Sequence, residues 1–180
     1  MVPPQEIKTI LIPVDGSVHA RKAALVGAAL AAKFGARVVL LHVLLRHTSL
    51  AKVDELARAQ KIPSELLEKL KPAAPAVYDF GLTVPAGVIH PVAPTDLLRE
   101  IGRRVLDMEK DAIHAQGVEN VDLMIEDGDA AERILEIAKK ENAGFVVMGR
   151  RGLGALEGML SGSVSTKVSH LAPGTVVTVT

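Results

Sequence analysis

The 180-residue chain contains no cysteine and no tryptophan. The first absence excludes disulfides, thiolate catalysis and thiolate zinc sites, and it fits a reducing compartment. Aromatic residues make up only 2% of the chain, so a core has to be packed from Ala, Val, Leu and Ile. Charge of one sign is not in excess: 21 basic residues balance 21 acidic ones, and no global field draws the chain to nucleic acid or anionic lipid. Long apolar runs are missing too. The longest, AALVGAALAA from Ala23 to Ala32, is too short to span a bilayer. The N-terminal MVPPQEIKTILIPV leads directly into a strand pattern. These features predict a soluble, cytoplasmic protein with neither nucleic acid nor membrane as partner.

What is present is a balance suited to folding. Hydrophobic residues are 48% and charged residues 23%, which argues against disorder, and the length suits one domain over residues 1–180. KTILIPV (Lys8 to Val14) reads as a buried strand, closed by the turn Asp15-Gly16-Ser17 with Ser17 as a helix cap. The helix that follows places Ala23, Gly27, Leu30, Ala31 and Phe34 on one face and stops at Gly35. ARVVLLHVL is the second strand. Further on, Thr95 is expected to cap a helix with a stripe of Leu97, Leu98, Ile101, Val105, Met108 and Ala112, ending near Gly117. VDLMI (Val121 to Ile125) is the third strand, and Asp129 with Glu132 forms a capping box for the next helix. GFVVM, a short helix carrying Val164, Val168 and Leu171, and TVVTV complete the series.

Apolar strands separated by helices specify an α/β fold: an open, doubly wound, five-stranded parallel sheet. The series is interrupted after the second strand by residues 46–94. Two helical stretches, LAKVDELARAQ and SELLEKLK, are followed there by a proline-rich connection, and the whole reads as a lid-like or irregular insertion.

The segment VVMGRRGLGALEGMLSGSVSTKV, Val146 to Val168, carries five glycines and three serines. In an open parallel sheet, ligands sit beyond the carboxyl ends of the strands, where this segment lies. Glycines permit positive φ and close backbone approach, a helix starting near Gly162-Ser163 offers free N–H groups, and Ser163 and Ser165 add hydroxyls for phosphate oxygens. A Walker loop is excluded because no Gly-Lys pair occurs, and GLGALEG has one spacer too many for the dinucleotide fingerprint. Composition alone leaves two readings open, a phosphate-binding loop and a surface loop with glycines at its turns.

Gly149-x-x-Gly152, nine residues, then Gly162-Ser163 resembles the nucleotide-binding signature of the universal stress protein family. ILIPVDGS is similar to that family's first strand and turn, and LLHV to its second strand. The resemblance covers nearly the whole chain, with residues 46–94 as the poor match. It implies an adenine nucleotide alpha hydrolase-like, Rossmann-like fold and the ATP-binding branch of the family. Carried over by residue, Pro13, Val14 and Asp15 line the adenine and ribose side, and Val43 offers backbone contacts to the adenine edge. Met148 and Gly149 border the ribose, Arg151 and Gly152 approach the phosphates, and Gly162, Ser163, Val164 and Ser165 close on them. Arg150 and Arg151 depart from the small or His residues often found there. The resemblance further implies ATP as ligand, with AMP and ADP as alternatives, and Mg²⁺ or Mn²⁺ held through the phosphates. It implies a homodimer through strand 175–179 and a regulatory role in stress response toward an unknown protein partner.

Catalysis finds little support in the residues. Asp15 is the one carboxylate expected at the cleft, and a role in an Asx turn or as a cap is compatible with that. The six histidines show no His-Glu-x-x-His pattern and read as core or surface residues. No hydrolase elbow is present. The rival reading is a slow ATPase of the same fold, for which only Arg150, Arg151 or a residue of the insertion is available to act on the γ-phosphate.

Overall fold

The structure, a computed structural model, describes residues 6–44, 46, 50–68, 93–153 and 162–180. The prolines Pro72, Pro75, Pro85 and Pro91, the histidines His47 and His90, and Gly154, Gly158 and Ser161 lie outside the described residues. In chain order the elements are β1 (Thr9–Pro13), α1 (Val18–Phe34), β2 (Arg37–Val43), α2 (Leu50–Ala59), α3 (Ser64–Glu68), α4 (Thr95–His114), β3 (Val121–Glu126), α5 (Ala130–Lys140), β4 (Phe145–Gly149), α6 (Ser163–Leu171) and β5 (Thr175–Val179). By their contacts these form two compact units, residues 1–44 with 102–180 and residues 45–101.

The first unit holds a five-stranded sheet of order β3-β2-β1-β4-β5, parallel throughout. Side chains alternate across each strand, so Val39 and Leu41 of β2 face one way and His42 the other. Leu11, Val39, Leu41, Val146 and Met148 form a cluster with Ala131, Ile134, Ile137 and Ala138 of α5 and Val168 of α6. On the opposite face, Gly27 lets α1 settle on Ile12 and Val147, and Gly102 lets α4 settle on His42; an added Cβ would come within 2.3 Å of Ile12 Cδ1 and 2.6 Å of His42 Cδ2. Among the described residues every buried apolar side chain is Ala, Val, Leu, Ile or Met, apart from Pro13 at the end of β1.

The edges differ from the centre. The strands were expected to be apolar on both faces, and β1 and the middle of β2 and β4 are fully buried. β3, however, exposes Asp122 and Leu123, and β5 exposes Thr175 and Thr178, because each has a strand on one side only. Helix boundaries follow the expected chemistry at three points. Ser17 Oγ accepts from Ala20 N–H at 3.1 Å, Asp129 Oδ1 accepts from Glu132 N–H at 3.0 Å, and Gly35 takes the left-handed conformation at φ +64°. Thr95 is a correction. Leu98 N–H donates to the Pro94 carbonyl at 3.0 Å, so Thr95 is the first helical residue and not the cap.

Two inner faces are rotated from expectation. In α1, Ala24 and Ala28 are buried while Leu30 is half-buried and Phe34 exposed. In α4, Met108 and Ala112 are half-buried, and Gly102, Leu106, Glu109 and Ile113 are buried. Glu109 sits inside, 3.7 Å from the half-exposed Arg21 of α1. Its carboxyl is held above the usual carboxylate range by burial, an effect partly opposed by Arg21. Similarly Leu171, expected on the inner face of α6, is exposed, while Val168 is buried.

In the second unit, α2 and α3 occupy the two stretches read as helical, and Val53, Leu56, Ala57, Ile62, Leu97, Leu98 and Ile101 are buried. Among the described residues, no helix is long and apolar enough to cross a membrane.

Candidate functional site

The strand order reverses at β1: β2 lies on one side of it and β4 on the other, each leading to its own edge. The crevice at the carboxyl end of such a switch point is where an open α/β sheet takes a ligand. Three segments meet there, the β1–α1 turn, the end of β4, and the start of α6.

The turn is built from Val14 to Ser17. Val14 is buried, and its N–H donates to the Leu41 carbonyl at 2.8 Å, adding one rung beyond β1. Its carbonyl accepts from His42 Nδ1 at 2.9 Å. Gly16 adopts φ +85°, a conformation costly for other residues, which swings the chain into α1. Asp15 Oδ1 accepts from Ser17 N–H at 3.0 Å, which is the Asx turn considered for this residue. Its other oxygen, Oδ2, reaches 138 residues along the chain and accepts from Leu153 N–H at 2.8 Å. Asp15 therefore joins the first turn to the glycine-bearing segment after β4.

The glycines act there by close approach. Positive φ was the other expectation, but Gly149 and Gly152 do not adopt it, and Gly162 has φ −76°. A Cβ on Gly152 would lie 2.4 Å from Asp15 Oδ2, and one on Gly149 would lie 2.9 Å from the His19 carbonyl carbon and 3.0 Å from Ala20 N. Gly149 is thus where β4 runs against the first turn of α1.

The base of the β4–α6 connection is closed by backbone bonds. Arg150 N–H donates to the Val179 carbonyl at 2.8 Å, and the Arg150 carbonyl accepts from Gly162 N–H at 3.0 Å. Ser165 Oγ lies 2.8 Å from the same carbonyl and 2.9 Å from that of Gly162. Ser165 is 2% exposed. Its hydroxyl, the one expected to donate to phosphate, clasps the loop base in this structure. Gly162 caps α6 without a side-chain hydrogen bond, so the N–H groups of Ser163 and Val164 in the first turn carry no side-chain cap. That end of α6 supplies the positive pole of the helix and donors suited to an anion. Arg150 and Arg151 are partly exposed beside it.

All twelve residues singled out from the sequence lie at or just beyond the carboxyl ends of β1, β2 and β4 or in the first turn of α6. The side chain of Met148 is 5% exposed and packed in the α5 and α6 cluster, leaving only its backbone at the site's edge. Sequence reasoning missed His42. It was grouped with the scattered histidines, although its place one residue before Val43 at the end of a buried strand is the signal that marks it. Burial pushes its pKa below the usual histidine value, with the Val14 carbonyl and Asp15 opposing, so the ring is neutral with its proton on Nδ1. Among the described residues no group of three or more His, Asp or Glu forms a metal cage. The depression at the opposite, amino edge of the sheet, lined by Glu6, Lys8, Thr9, Phe34 and Arg37, includes none of these residues.

An open, five-stranded parallel sheet with helices on both faces and a switch point at β1 defines a protein of the doubly wound α/β class. More narrowly, the chain belongs to the universal stress protein family, whose model, "Universal stress protein family", matches residues 6–180. It is 31% identical over 166 residues to the "Universal stress protein in QAH/OAS sulfhydrylase 3'region" of Thermus aquaticus, covering 92% of this chain and 93% of that one. Among solved structures, the universal stress protein UspA from Lactobacillus plantarum superposes with a TM-score of 0.64 at 19% identity, over 98% of this chain and 99% of that one. The universal stress protein from Archaeoglobus fulgidus in complex with dAMP gives 0.60 at 17% identity, over 98% and 100%.

Proposed function

We propose that this universal stress protein binds ATP at the β1/β4 switch point and acts as a dimeric, nucleotide-dependent regulator, not as a catalyst. The observation that carries the reading is the bond from Leu153 N–H to Asp15 Oδ2, with Gly152 pressed against the same oxygen. It ties the turn after β1 to the connection that ends at the uncapped start of α6, so that a base-side and a phosphate-side wall belong to one cleft. The complex of the Archaeoglobus fulgidus relative with dAMP, an adenine nucleotide, supports the ligand class.

In this reading Pro13, Val14, Asp15 and the backbone of Val43 take the adenosine. Gly149, Arg151 and Gly152 flank the phosphates, and the N–H groups of Ser163 and Val164 receive them. Mg²⁺ or Mn²⁺ would be held chiefly by phosphate oxygens, where it would neutralise their charge. β5 is an edge strand, and pairing of residues 175–179 with a second copy would complete its free hydrogen-bonding side. Residues 46–94 act as a lid-like segment or partner surface responsive to the nucleotide.

Mass spectrometry of nucleotide co-purifying with the protein, followed by calorimetry with ATP and AMP, tests the ligand. Saturable ATP binding is expected; no heat of binding and no thermal shift at millimolar ATP would end this reading. Phosphate release by the purified protein, measured alongside, should stay at the uncatalysed rate, and turnover would favour the slow ATPase.

A further inference from the structure

His42 is an unusual choice for its position. Its ring is fully buried on the face of β2 that meets α4, and among the described residues its Nε2 has no hydrogen-bond partner. Gly102 leaves room for the ring, since a Cβ there would stand 2.6 Å from Cδ2, 3.2 Å from Nε2 and 3.3 Å from Cγ. A leucine would fill similar space without a stranded nitrogen. The polar contact the ring gains is the Val14 carbonyl, at 2.9 Å from Nδ1.

That carbonyl sits where the β1–β2 ladder should add another rung. In the parallel register Arg37 N–H donates to the Lys8 carbonyl, and rungs from β2 recur every second residue, so Val43 N–H is the next donor in line for Val14. Among the described residues that rung is not made, and the ladder ends with Val14 N–H on Leu41. The histidine has replaced a backbone donor with a side-chain donor. This satisfies the carbonyl before the Asp15 turn and releases the Val43 N–H toward the cleft.

We infer that His42 is a positioning residue of the nucleotide site: through the Val14 carbonyl it holds the β1–α1 turn in place and keeps the Val43 N–H available to the ligand. The inference rests on the reading of the switch point as an adenine-nucleotide site. It extends that reading by making the Val43 donor conditional on a side chain that does not itself touch the ligand. The neutral, Nδ1-protonated tautomer is the form required, and burial favours the neutral ring.

The test compares wild type with His42→Leu, which removes the donor at similar volume, and His42→Asn, whose amide places an N–H near the position of Nδ1. Calorimetry with ATP should show about tenfold weaker binding for H42L, the effect of losing one buried donor, and binding within about twofold of wild type for H42N. A second measurement uses no nucleotide. Hydrogen exchange of the Ser17 amide, which is bonded to Asp15, should quicken in H42L and stay slow in H42N. Equal ATP affinity in wild type and H42L, or an equal loss in H42L and H42N, would overturn the inference. If wild type binds no ATP, the nucleotide reading falls, and the Ser17 exchange rates then decide whether His42 holds the turn: faster exchange confined to H42L supports it, and equal rates refute it.

Discussion

Replacing Gly149 with alanine is the sharpest perturbation of the site. The new methyl would stand 2.9 Å from both the backbone carbon and the Cβ of His19, and 3.0 Å from Ala20 N. Carbon atoms reach an unstrained contact near 3.5 Å, so the first turn of α1 must retreat by about 0.6 Å. It cannot retreat alone, because Ser17 caps that turn and is itself held by Asp15. Overpacking of this kind costs about 1–3 kcal/mol, while a Gly-to-Ala change returns about 0.4–1 kcal/mol through the unfolded chain. A net loss of about 1–2 kcal/mol remains, which in a protein of this size lowers Tm by about 2–8 °C. The same strain falls on the Asp15 turn, so ATP affinity should drop about 5- to 30-fold by calorimetry. Gly162→Ala is the contrast: its φ of −76° suits any residue and its nearest neighbour would be the Arg150 carbonyl at 3.4 Å. The cost there should be about 0.5 kcal/mol, the lower end of the difference between Gly and Ala at a helix cap. Wild-type Tm and affinity in G149A, or losses in G162A as large as those in G149A, would refute this account.

Three further outcomes follow from the same geometry. Gly152→Ala sets a methyl 2.4 Å from Asp15 Oδ2 and should displace the carboxylate from Leu153, seen as faster exchange of the Leu153 amide and weaker ATP binding; an unchanged amide would contradict the contact. Ser165→Ala removes the clasp on the Arg150 and Gly162 carbonyls and should cost about 1 kcal/mol in urea unfolding, with no effect expected only if Gly162 N–H closes the loop unaided. The pH dependence separates the two buried groups. Glu109 is raised above 4.5 in the folded chain, so its favourable contribution is full below that value and is lost as pH rises through its folded pKa. Glu109→Gln should therefore be the more stable protein at pH 7 and lose that advantage toward pH 4.5, and parallel stability curves for the two proteins would exclude the effect. His42, lowered from 6.5, acts in the opposite sense: its contribution is full above 6.5 and falls as pH drops below it, in wild type and E109Q alike.

The order of elements was legible in the sequence because each signal is local. Strands β1, β2 and β4 announce themselves as short apolar runs, and Ser17, Gly35 and Asp129 mark helix ends by bonds to residues three or four positions away. The twelve candidate residues were legible as a set only through the resemblance to the universal stress protein family, and they share one edge of the parallel sheet because strand ends and the start of α6 lie there. The helix faces were less legible. α4 has enough apolar positions to draw its stripe through Met108, and only its neighbours turn the helix so that Glu109 is buried beside Arg21.

What the tertiary structure alone decided is which groups meet across long separations. Leu153 and Asp15 are 138 residues apart and His42 and Val14 are 28 apart, and neither bond follows from the pattern around its members. The same holds for Gly149, whose lack of a side chain matters because α1 crosses it, and for Ser165, whose hydroxyl closes a loop base. Periodicity and capping are encoded in adjacent residues, since the backbone dihedrals that they constrain are adjacent. Close approach and hydrogen bonding between segments depend on the strand order β3-β2-β1-β4-β5, which the chain reaches only when its helices bury both faces of the sheet.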